Sequence, residues 1–188
     1  IEQLTSSWDQ IGDIRRNYKV EIEANMFRFV FPEHPLNMVS RWSVGSDKDS
    51  IIKRAAFNGM GLVIWQDVFG AWLPFSNKQK QQIKKLKNVL NKYHNIIFGS
   101  NSIPLIETLS NGLICNQFCN DNNQKIFAIY NFTNKSIKGP LVALEPIAKT
   151  KFQQIFGIKS NLQIKNIKKI NTIFGTIPAD EVILINVK

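Results

Sequence analysis

Hydrophobic and polar positions alternate along this chain in three different rhythms. Residues 1–25 are mostly polar, with Leu4, Trp8 and Ile11 at helix-like spacing after a Thr5/Ser6 start, and Ile22 in a charged link. The run FRFVF at 27–31 predicts a short buried strand, stopped by Pro32 and Pro35, with 36–46 as loop. Asp49 to Asn58 then predicts a helix whose inner side carries Ile51, Ile52, Ala55 and Ala56. Asn58-Gly59 is its left-handed stop. GLVIWQ, from Gly61, is a continuous apolar run of the kind found in a parallel strand buried on both faces. Ser76 is placed to cap a long amphipathic helix from about Asn77 to Phe98. Ile83, Leu86, Val89, Leu90, Tyr93 and Ile97 form its apolar stripe, and lysines fill the solvated face.

From Ile103 onward the rhythm changes to short strands and turns, with Asn111-Gly112 and Asp121-Asn122-Asn123 as hairpin turns. Turn signals recur at a spacing near that of a β-sandwich, about 8–12 residues. The expected fold class is therefore α/β followed by all-β. The boundary falls at Ser100–Ser102, dividing the chain into 1–101 and 102–188.

Composition alters this picture little. The 188 residues carry a formal net charge of +10, mostly from scattered lysines, and no base-reading motif accompanies them, so no nucleic-acid role is expected. No apolar run approaches the roughly 18 residues of a membrane span, and no signal peptide is visible. The chain opens on Ile1 in mid-pattern and is expected to be a piece of a longer protein. Its compartment stays open, secretion or a periplasmic location included. Cys115 and Cys119 share one face of a strand but lie roughly 13 Å apart along it, beyond the ~7 Å that a disulfide spans, so they are expected to be core residues. Nothing in the spacing of His, Cys, Asp or Glu implies a metal or a cofactor.

The chemistry-bearing residues cluster where apolar runs end. Glu33 and His34 follow FRFVF, with Arg41 and Trp42 a few positions on. Trp65, Gln66 and Asp67 follow GLVI, with Trp72 in the next loop. Parallel α/β units carry their chemistry at the C-terminal ends of strands. Sugar sites combine aromatic faces, which stack on the C–H faces of pyranose rings, with planar polar groups that take the hydroxyls. Glu33, His34, Arg41, Trp65, Gln66, Asp67 and Trp72 are thus candidate substrate-binding residues for a carbohydrate. Glu33 could instead serve a salt bridge to Arg41, and Asp67 a helix cap. Two carboxyls in one cleft also fit glycoside hydrolysis, but no catalytic role is assigned from spacing.

The order strand, helix, strand ending in Trp-Gln-Asp, long helix, β domain resembles the C-terminal portion of TIM-barrel glycoside hydrolases. FNGMGLVIWQDVFGAW looks like the last barrel strand, and LICNQFC with KIFAIYNFTNKSIKGPLVAL looks like the opening of the appended β-sandwich. The resemblance implies the last one to two βα units of a (β/α)8 barrel plus a C-terminal antiparallel β-sandwich. The rest of the barrel and its principal catalytic carboxylates would lie upstream, so the chain alone would be inactive. Pro32-Glu33-His34 stands where amylase-like groups carry Asn-His-Asp, so no catalytic role transfers to Glu33. The rival expectation is a non-catalytic carbohydrate-binding or interaction module centred on the β-domain.

Overall fold

The computed structural model describes residues 7–9, 22–40, 48–64, 75–144, 151–167 and 169–187. A three-stranded parallel sheet opens the fold: β1 (Ser7–Asp9), β2 (Leu36–Ser40) and β3 (Gly61–Ile64), in that spatial order. Helix α1 (Met26–Val30) lies between the first two strands in sequence and α2 (Lys48–Asn58) between the last two. Helices α3 (Asn77–Lys92) and α4 (His94–Ile97) follow.

The helix boundaries have local causes. Ser76 Oγ accepts from the Gln79 amide at 3.2 Å while Gln79 Oε1 accepts from the Ser76 amide at 2.9 Å, a reciprocal capping box. Gln79 Nε2 also donates to Asp49 Oδ1 at 3.0 Å, joining α3 to the start of α2. Gly59 takes φ +62° at the end of α2, and the Met60 and Gly59 amides donate to Ala55 and Ala56 carbonyls at 2.8 and 3.2 Å. That pair of bonds is a Schellman stop. Asn58 is fully buried instead of facing solvent. It donates to the Glu23 carbonyl and accepts from the Asn25 amide, holding the approach to α1 against α2.

Five expectations need correction. FRFVF is not a strand: Met26–Val30 is helical, because Arg28 turns inward. Its guanidinium lies 4.6 Å from the Phe98 ring centroid and donates to the Ile97 carbonyl, a cation at a helix C-terminus. Burial lowers this group to about 10, still charged at neutral pH. Residues 36–40 are not loop but the central strand β2, with Met38 fully buried. Trp8 lies in β1, not in a helix. Strand β3 is not buried on both faces: Ile64 is 37% exposed, since β3 lies at a sheet edge with no second partner among the described strands. The long helix also breaks at Tyr93, which separates α3 from α4.

Downstream, β4 (Ile103–Ile106), β5 (Leu113–Cys119), β6 (Lys125–Asn131), β8 (Phe152–Phe156) and β11 (Glu181–Val187) form a five-stranded antiparallel sheet in the order β4-β5-β6-β11-β8. A three-stranded antiparallel sheet, β7-β10-β9, is made from β7 (Ile137–Leu144), β9 (Gln163–Ile167) and β10 (Ile170–Ile177). Leu113, Cys115, Phe127, Ile129, Ile183 and Ile185 from the larger sheet share a core with Leu141, Val142, Ile173 and Ile177 from the smaller.

The larger sheet's other face is buried too. Phe118, Ile126, Ala128, Tyr130, Val182 and Leu184 join Ile52, Phe57, Leu86, Val89 and Ile97 of the helices in a second core. Hence IFAIY and VILI read as unbroken apolar runs although their sheet is antiparallel: each alternate residue meets a different layer. Cys115 and Cys119 are buried free thiols, as their spacing requires, and burial pushes the Cys115 thiol up into an unreactive range.

Glu181, 5% exposed at the start of β11, supplies a pH test. Desolvation raises its carboxyl above the usual value of 4.5, against the opposing pull of Lys53 and the Ile158 amide. A carboxyl raised in the folded state holds its proton longer there than in the unfolded chain, so stability falls as pH rises through that interval. Glu181→Gln is therefore expected to be the more stable protein at neutral pH. The gain should vanish once both states are protonated in acid. Thermal midpoints of the two proteins from about pH 3 to about pH 8 check this. A constant difference across that range would assign the effect to something other than ionisation.

Candidate functional site

The C-terminal edge of the parallel sheet is the place to look for strand-end chemistry. Ser40 and Ile64, the last residues of β2 and β3, are paired in register. These two ends lie side by side, about 4.8 Å apart. Arg41 is next in sequence after Ser40. Trp65, Gln66 and Asp67 follow Ile64 in sequence, with Trp72 further on. These five lie outside the described residues, so their place rests on sequence adjacency to the two paired strand ends.

Glu33 and His34 occupy a different place. They sit in the turn between α1 and β2, before the strand and not after it. The five residues of β2 put about 13 Å of strand between that edge and the ends at Ser40 and Ile64. The premise that Glu33 stands at a strand's C-terminal end is therefore corrected. Glu33 Oε1 lies 3.7 Å from His34 Nε2, with the side chains 65% and 48% exposed. A pair so exposed contributes little to stability.

Behind the sheet, an open groove of about 250 Å³ runs between β2, β3 and α3. Leu62, Ile64, Ile83, Leu86 and Leu90 give it an apolar lining beside the side of β3 that no other described strand pairs. A Cβ at Gly61 would meet Asn37 Oδ1 at 2.2 Å, so that side chain would have to shift. Across α3, Lys84, Lys85 and Lys87 are exposed.

Among the described residues, no group of three or more His, Cys, Asp and Glu side chains could hold a metal ion. No described helix is long and apolar enough to cross a membrane. Two polar residues that the sequence pattern passed over are fully buried: Asn131 and Asn186, each a lone carboxamide in an apolar strand run. That interruption was the signal available for both.

No protein-family model and no curated protein matches the chain. Solved structures of similar fold include the native Nostoc punctiforme debranching enzyme, with a TM-score of 0.57 and 9% sequence identity over 84% of this chain. The acarbose-soaked form of that enzyme gives a TM-score of 0.53, with 9% identity over 85% of this chain. In both cases the match covers 36% of the neighbour, so the chain spans little more than a third of that enzyme's length. At this identity the likeness is one of fold.

Proposed function

We propose that this chain closes a (β/α)8 barrel with residues 1–101 and appends a β-sandwich with residues 102–188. The whole would be a carbohydrate-active hydrolase, to which this chain contributes one wall of the sugar cleft. The observation that carries the proposal is the chain-ordered parallel sheet β1-β2-β3, with a helix between successive strands and an edge on β3 that no other described strand pairs, beside an apolar groove. Such an edge and groove suit the next strand and helix of a closing barrel. The fold likeness to a debranching enzyme supports the same architecture.

In this proposal Arg41, Gln66 and Asp67 take sugar hydroxyls, and Trp65 and Trp72 offer stacking faces. In sequence they follow the paired strand ends Ser40 and Ile64, and barrel folds place their sites after such ends. Glu33 and His34, before β2, have no part in that argument. The principal catalytic carboxylates would come from other strands, so residues 1–188 by themselves would hydrolyse no glycoside.

The decisive variant is Asp67→Asn in the longer protein. A carboxylate bonded to a substrate hydroxyl contributes about 1.5–3 kcal/mol, so saccharide binding or turnover should fall roughly tenfold to a hundredfold. Unchanged kinetics in a folded variant would remove Asp67 from the cleft.

A further inference from the structure

The chain contains two Asn-Gly pairs, Asn58-Gly59 and Asn111-Gly112. Asparagine is among the thermolabile residues. Its weakness is internal, because the main-chain nitrogen of the next residue can attack its Cγ. A glycine leaves that nitrogen unscreened, since no Cβ stands beside it. The two pairs are chemically alike, and the fold treats them differently.

Asn58 is fully buried. Its Nδ2 donates to the Glu23 and Arg54 carbonyls at 2.9 and 3.1 Å, and its Oδ1 accepts from the Asn25 amide at 2.8 Å. The attacking group is occupied as well: the Gly59 N–H donates to the Ala56 carbonyl at 3.2 Å. Ile97 Cγ2 and Phe118 Cζ press on Gly59, 2.6 and 3.1 Å from where a Cβ would stand. The Asn58 carboxamide cannot rotate over that nitrogen without breaking its hydrogen bonds inside a packed core.

Asn111 is exposed, in the turn that leads into β5. Its side chain is hydrogen-bonded to no other described residue. Gly112 has φ +86° and accepts from the Phe132 amide at 3.1 Å, but no described residue accepts from its N–H. The backbone around the pair is held from both sides. The Ser110 hydroxyl donates to the Pro140 carbonyl at 2.6 Å and the Thr108 hydroxyl to the Leu113 carbonyl at 3.2 Å. The carboxamide is thus free to turn in a fully folded chain.

We propose that Asn111 is a site of spontaneous conversion to aspartate and isoaspartate in the folded protein, and that the fold protects Asn58 from the same reaction. The Gly112 nitrogen forms a bond to Asn111 Cγ, the Cγ–Nδ2 bond breaks, and ammonia leaves with the proton of the Gly112 amide. The product is a cyclic succinimide, which water opens at either carbonyl. Attack at Cγ restores the main chain and leaves aspartate. Attack at the main-chain carbonyl carbon leaves isoaspartate, whose main chain runs through Cγ and gains a methylene. Water is the only co-reactant. The added methylene falls just before Leu113, which pairs with Asn131. Isoaspartate therefore loosens the start of β5, and aspartate does not.

The test incubates the whole chain in mildly alkaline buffer, with peptide mass spectrometry of timed samples to measure conversion at each asparagine. A parallel sample in urea lacks the fold, and there both pairs should convert at comparable rates. In the native protein Asn111 should convert at close to its rate in urea. Asn58 reacts only through the rare open state and should slow on the order of a thousandfold or more. The converted fraction, collected by ion exchange, should melt below Asn111→Asp, which carries the same charge without the methylene. Native Asn111 slowed as much as Asn58, or native Asn58 as fast as Asn111, would overturn the proposal without recourse to any variant. A converted fraction that melts with Asn111→Asp would overturn the effect on β5.

Discussion

Asn131→Ala is expected to destabilise the protein by about 3–4 kcal/mol. Asn131 ends β6, fully buried, where the chain must cross from the larger sheet to the smaller. Its Nδ2 donates to the carbonyls of Lys135, Ile177 and Pro178 at 2.8, 3.1 and 2.9 Å, so two protons serve three acceptors. Its Oδ1 accepts from the Thr133 amide at 3.0 Å and the Thr133 hydroxyl at 2.7 Å. One side chain thereby ties the β6–β7 turn to the end of β10. Alanine would leave several of these groups without partners in a place that water reaches poorly, at about 1–3 kcal/mol for each one stranded. Asn131→Asp should fare no better, because a carboxylate cannot donate to the three carbonyls. For a protein of this size the midpoint should drop by roughly 10 °C. Urea unfolding at constant slope measures the loss directly, and a change below about 1 kcal/mol would show that the turn holds without its hub.

The same residue shows what the sequence could and could not convey. KIFAIYNFT was legible as a strand, because apolar runs and turn residues are local signals. The bonds that Asn131 makes are with residues up to 47 positions away, and no local pattern reports them. Helix α2 and the Ser76 start of α3 were legible for the same local reason: a stripe at 51, 52, 55 and 56, and a capping serine three residues before a glutamine. FRFVF was misleading because four apolar and aromatic residues around an arginine fit a strand as well as a helical turn. What decides between them is the distant Ile97 carbonyl and Phe98 ring that receive Arg28. Residues 36–40 were opaque for the opposite reason. Asn37 and Ser40 interrupt the apolar pattern, and only pairing on both sides, with β1 and β3, makes LNMVS a strand. Of the candidate site, Arg41, Trp65, Gln66, Asp67 and Trp72 lie outside the described residues, after Ser40 and Ile64 in sequence. Glu33 and His34 were drawn in by a strand that is a helix.

Residues 102–188 produced alone are expected not to yield a soluble folded domain. The break in rhythm near Ser100 marks a change of architecture, but the two halves share one core. Phe118, Ile126, Ala128, Tyr130, Val182 and Leu184 pack on the helices of the first hundred residues, as do Ile155 and Phe156 at the edge. Phe118 stacks 5.8 Å from Phe29 with the rings almost parallel, and Asn116 Nδ2 donates to the Phe57 carbonyl at 3.1 Å. Lys53 of α2 reaches Asp180 Oδ2 at 3.1 Å, and the Tyr130 hydroxyl donates to Asp180 Oδ1 at 2.8 Å. Removing the helical layer would bare six or more large apolar side chains. At about 1.5–3 kcal/mol for each, the loss is on the order of 10 kcal/mol, comparable with the entire stability of an ordinary domain. The bared face would also be a contiguous apolar patch, an aggregation surface in its own right. Residues 22–188, which retain the helices, should by contrast unfold in one cooperative transition, with helical and sheet signals lost together. A fragment 102–188 that stayed monomeric, with dispersed amide resonances, would show that the antiparallel sheets need no cover. The helices would then be a neighbour of that unit and not the third layer of its fold.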